Sequence, residues 1–172
     1  MELFRISIED LYWIDNSKDN PEDLCLHGKM STVIGEQKLV HDGAVTVSAS
    51  ALYFLKTLTE DHIINKDNQM MPCCGHTIIP NEDGKTVTIV GCNQGVDWTV
   101  LHEGENVKII LEDGTKIVVP MEIYKSEVFK FADEIEVFYN SCTPKKLSKN
   151  EEDWERKAYL LFWDEWHRRR KQ

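Results

Sequence analysis

The sequence predicts an α+β domain: a mainly antiparallel β-meander sheet, open to partial closure, packed by about three helices of which two are C-terminal. Three observations lead there. Short apolar runs punctuated by turn dipeptides fill residues 1–119. After Pro120 the apolar period lengthens from two to about three and a half. Strands never alternate one by one with helices, as parallel βαβ units require. A single domain accounts for all 172 residues, strand-rich over 1–119 and helical over 120–172.

The elements follow in order. Leu3, Phe4, Ile6 and Ile8 set an opening strand, and a polar loop covers 15–23. Short strands at 30–34, 37–40 and 44–47 are separated by Gly35-Glu36 and by Asp42-Gly43. Ser48 caps a helix over 49–62, where Ala51, Leu55 and Leu58 recur at helical spacing. Five strands then form a meander at 77–79, 85–90, 96–102, 107–111 and 115–119. Asn81-Glu82-Asp83-Gly84 marks the first turn, and Asp113-Gly114 is a strong two-residue hairpin signal. Tyr124, Val128, Phe131, Ile135, Phe138 and Cys142 are spaced 4, 3, 4, 3, 4, which predicts a helix over 121–142 buried along one stripe. A linker at 143–150 leads to a last helix, with Ser148 and Glu151 at capping-box spacing.

Composition limits the function. Hydrophobic residues are 41% and charged residues 29%, a globular profile that excludes disordered and collagen-like classes. No apolar run approaches the ~20 residues of a membrane span, and residues 1–10 do not read as a secretory signal. The net charge is -10, which argues against nucleic acid as a partner, because phosphate contacts need a basic face. An odd number of cysteines (Cys25, Cys73, Cys74, Cys92 and Cys142) predicts reduced thiols and a cytoplasmic location.

Pro72-Cys73-Cys74-Gly75-His76, followed by Cys92, is the sharpest chemical pattern. With Asp83-Gly84 as the turn, paired residue numbers sum to 167, and Cys73, Cys74, His76 and Cys92 meet at one end of a hairpin. Three thiols and an imidazole suffice for zinc, and Cys25 with His27 or His102 can substitute for one of them. Only Cys73-x-x-His76 has knuckle spacing, and vicinal Cys73 and Cys74 point apart in a regular strand. The simpler expectation is therefore small packed thiols and no cofactor. Catalytic sets such as Cys92 with His102 and Asp97, His41-Asp42, or His62 with Glu60 and Asp61 can be assembled. No nucleophile elbow, phosphate loop or dinucleotide fingerprint accompanies them, so the expectation leans away from an enzyme.

Two surface features remain. The last helix carries Trp154, Tyr159, Phe162, Trp163 and Trp166, which do not fit one narrow stripe. Either the helix is deeply sunk, covering an open sheet face, or Trp154, Trp163 and Trp166 serve as anchors for a protein partner. The charge is the second feature. The four basic residues at 168–171 offset part of it, and without them the total falls from -10 to -14. A small, strongly acidic chain resembles in general build the immunity proteins that neutralise bacterial toxins, a likeness of build and charge rather than of motif. The reading that follows is a small acidic intracellular binding protein, an immunity or accessory protein that masks a basic partner surface. A zinc-stabilised domain stands second and a hydrolase-like enzyme third.

Overall fold

Strand alternation decides the first sheet. In the computed structural model, which describes residues 3–75 and 77–172, β1 (Phe4–Tyr12) pairs antiparallel with β2 (His27–Ile34), and β2 with β3 (Gln37–Val40). Phe4, Ile6, Met30 and Ile34 turn one face of this sheet into the core. The register shifts between Ile8 and Asp10, a bulge at which the buried alternation of β1 ends. The strand expected at 44–47 is not formed. Val45 makes only an isolated bridge to Gly28, and Val47 already starts a helix.

That helix, α1 (Val47–Lys56), is buried at every position from Val47 to Leu55, so it runs through the centre of the molecule. It begins and ends earlier than expected. Its N-cap is Thr46, and the Ser48 hydroxyl instead accepts the Leu26 backbone N–H at 3.1 Å. After Lys56, the Thr57 hydroxyl donates back to the Phe54 carbonyl at 2.8 Å, a local bond that competes with continuing the helix.

The expected five-stranded meander is two sheets. β4 (Thr77–Pro80) and β5 (Val87–Val90) form an isolated hairpin, while β6 (Thr99–Glu103), β7 (Asn106–Ile110) and β8 (Lys116–Pro120) form an antiparallel sheet of their own. The chain leaving β5 does not continue into β6. It stays alongside the segment before β4, where Val96 bridges Met71 in the hairpin's own register, and β6 pairs with β7 instead of β5. The architecture is α+β with antiparallel sheets, and none of them closes into a barrel.

Pro120 flanks α2 (Met121–Ser141), which lies against α1 and β1. Tyr124, Val128, Phe131 and Ile135 are buried as the stripe predicts, but the last buried position is Tyr139, with Phe138 only half-buried. A strict seven-residue repeat drifts about 20° per heptad on a straight helix, and here the core has passed to the neighbouring residue. α3 (Trp154–Arg169) covers the β4–β5 hairpin. Its N-cap is Asp153, which accepts the Arg156 N–H at 3.1 Å, in place of the expected Ser148. Among the described residues no helix is long and apolar enough to cross a membrane.

Candidate thiol site and aromatic surface

The hairpin register places the cysteines. Thr77 pairs with Val90 and Ile78 with Ile89, both in the register that sums to 167, and the Met71–Val96 bridge keeps the same register further along. Between Thr77–Val90 and Met71–Val96 the described residues form no regular ladder, and this gap holds Cys73, Cys74 and Cys92. Glycine makes the approach close enough. A Cβ on Gly91 would lie 2.0 Å from the Cys74 carbonyl oxygen, and one on Gly95 would lie 2.2 Å from that of Met71.

The three sulfurs lie within 4.8 Å of one another and all three residues are half-buried. Irregular backbone removes the objection that vicinal cysteines diverge. Cys73 and Cys92 are joined as a disulfide, and the Cys92 backbone N–H donates to Cys74 Sγ at 3.3 Å. The expectation of reduced thiols is thus corrected for this pair, with Cys25, Cys74 and Cys142 free. His76 lies outside the described residues. Cys25 does not substitute for a ligand: it is buried in the core, and desolvation, helped by the Asp23 carboxylate, pushes its thiol up to about 12.

The candidate catalytic sets are broken up and re-paired. Cys92 bonds to Cys73, Asp97 Oδ1 lies 2.7 Å from His62 Nε2, and Asp61 Oδ1 lies 2.8 Å from His102 Nδ1. Asp97 also accepts the Met70 N–H at 3.1 Å, so the His62–Asp97 pair ties the 61–70 segment to the chain before β6. His41 accepts the Gly43 N–H at Nδ1 at 3.0 Å, and its Nε2 lies 3.1 Å from the Gln94 carbonyl oxygen.

On α3 the aromatic residues have separate fates. Trp166 is fully buried and donates its indole N–H to Glu136 at 3.1 Å, so it offers no surface to a partner. Trp163 is half-buried, stacked on His167 and edge-on to Tyr139, in the wall of a cleft of about 350 Å³. Trp154 is 55% exposed, with Glu151, Glu152 and Glu155 exposed beside it. Nine residues at about 100° each put Trp154 and Trp163 on opposite sides of the helix. The three expected anchors therefore do not form one patch.

Sequence reading missed the polar centre of the molecule. Glu165 is fully buried, accepts the Val87 N–H at 2.7 Å and Arg169 Nε at 2.8 Å, and lies 3.5 Å from Lys56 Nζ. Arg169 reaches on to Glu60 at 2.7 Å. The available signal was the i, i+4 spacing of Glu165 and Arg169 among aromatic residues. Lys145 was also missed. Its ammonium sits 3.0 Å from the Trp13 ring centroid and donates to the Asn20 carbonyl at 2.7 Å, and burial lowers its pKa to about 8. The chain matches no known protein family, no curated protein and no solved structure.

Proposed function

We propose that this chain is a small acidic binding protein that covers a basic surface of a protein partner, in the manner of immunity and accessory proteins. The observation that carries the reading is Trp154, 55% exposed in a row of exposed carboxylates at Glu151, Glu152 and Glu155. An exposed indole is an anchor for a lysine or arginine through its ring face, and carboxylates around it supply complementary charge. The net charge of -10 extends the same preference over long range.

The test uses the purified chain and a basic protein captured with it. Association should slow sharply with salt, because the Debye length falls from about 10 Å at 0.1 M to about 3 Å at 1 M. Trp154→Ala should weaken the complex by tenfold or more, on the order of 1.4 kcal/mol, with folding retained. Charge reversal at Glu151, Glu152 and Glu155 should lower the on-rate. An on-rate indifferent to salt, or a complex untouched by Trp154→Ala, overturns the reading, as does turnover of a small molecule by the chain alone.

A further inference from the structure

We infer that the gap beside the β4–β5 hairpin is a metal site, in which the reduced sulfurs of Cys73, Cys74 and Cys92 hold one thiophilic divalent ion of the zinc type. This goes beyond the binding role and stands on different residues.

The geometry supports it at three points. First, a tetrahedral zinc with bonds of about 2.3 Å sets its thiolates about 3.8 Å apart. The three sulfurs already lie within 4.8 Å, so each moves by no more than about an ångström once the Cys73–Cys92 bond is open. Secondly, the donors come from both sides of a strand pair that parts and rejoins. Thr77–Val90 closes one end of the gap and Met71–Val96 the other, in the same register. An ion here would bridge the two segments where the described residues make no ladder pairing. Thirdly, the Cys92 backbone N–H already donates to Cys74 Sγ at 3.3 Å, the outer-shell contact that orients a thiolate ligand and offsets part of its charge. Gly91 and Gly95 keep the segments close enough for these contacts.

The soft donors select the ion. Three thiolates favour zinc and its thiophilic relatives over magnesium or calcium, which take oxygen ligands. The fourth position of a tetrahedral ion remains for a further donor or water. Loading requires two balanced steps. A dithiol reductant delivers two electrons and two protons to the Cys73 and Cys92 sulfurs and leaves as its own disulfide. Each ligating thiol then releases its proton to solvent as its sulfur–metal bond forms. The oxidised chain cannot load, because two of its three donors are bonded to each other.

The experiment is a cobalt(II) titration of the full chain, reduced with excess dithiol and freed of it without oxygen, followed by displacement with zinc. Thiolate-to-cobalt charge-transfer absorption should appear at about one equivalent per chain and vanish on zinc addition. Cys74→Ser should weaken binding by more than about tenfold, since loss of an outer-shell partner alone costs 10–100-fold. Cys142→Ser should leave binding unchanged, and the air-oxidised chain should not bind. Alkylation mapped by mass spectrometry gives a readout without substitution: zinc should shield Cys73, Cys74 and Cys92 and leave Cys142 reactive. Absence of charge-transfer absorption, an unaffected Cys74→Ser, or zinc that shields none of the three overturns the assignment.

Discussion

Glu165 in α3 accepts the backbone N–H of Val87 in β5 at 2.7 Å, across 78 residues of chain. A fully buried carboxylate is costly unless paired, and Arg169 and Lys56 supply the counter-charge. Glu165→Ala removes the acceptor while leaving two cations and an N–H behind. The expected loss is about 3–5 kcal/mol in chemical denaturation. A loss below about 1 kcal/mol would show that water replaces the carboxylate easily.

Burial on α2 predicts an uneven series. Phe131→Ala should cost about 3–5 kcal/mol, and half-buried Phe138→Ala clearly less. Glu136→Ala should cost about 1–3 kcal/mol, because it strands the Trp166 indole N–H, whereas exposed Glu134→Ala should be near neutral. Equal losses at Glu134 and Glu136 would contradict the bond to Trp166.

Thiol reactivity should follow burial. Cys25, with its pKa raised to about 12, should resist iodoacetamide at neutral pH in the native chain and react on unfolding. Modification of Cys25 as fast as half-buried Cys142 in the folded protein would contradict this placement.

Acid should act on the β4–β5 turn. Asp83 accepts the Thr86 hydroxyl at 2.7 Å and the Lys85 and Thr86 N–H groups, which lower its pKa to about 2. An unfolded aspartate titrates near 3.9, so the ionised form favours the folded turn. That contribution is complete above about pH 4 and is lost as pH falls through about 2. A carboxyl NMR titration giving an Asp83 pKa of 3.9 or higher would contradict the three hydrogen bonds.

Periodicity made much of this fold legible. Both hairpins and a helix over 121–141 follow from period and turn chemistry, but the two-residue turns do not form. Asn81–Thr86 closes a four-residue loop and Leu111–Thr115 a three-residue one, with positive φ at Gly84 and Gly114 and not at the aspartates. The cysteine neighbourhood was legible for the same reason, since a hairpin register is a local property. What could not be read depends on partners far along the chain. Ser48 looks like a cap until Leu26 claims its hydroxyl, and Glu136 looks solvated until Trp166 reaches it from 30 residues away. Trp154 and Trp166 are the same residue type on one helix, and only packing against the hairpin and α2 separates the surface anchor from the core.

The Glu165–Val87 contact also orders events during synthesis. A domain emerges from the ribosome N-terminal end first, at roughly 5–20 residues per second. Lys56 and the β5 backbone are therefore in solution for several seconds before Glu165 and Arg169 follow, at about 78 residues' delay for Val87. During that interval the hairpin edge and the crevice beside α1 lack the helix that covers them. A nascent chain halted near residue 150 would thus present its most vulnerable surface to chaperones and proteases, and arrival of α3 would act as the latch that withdraws it.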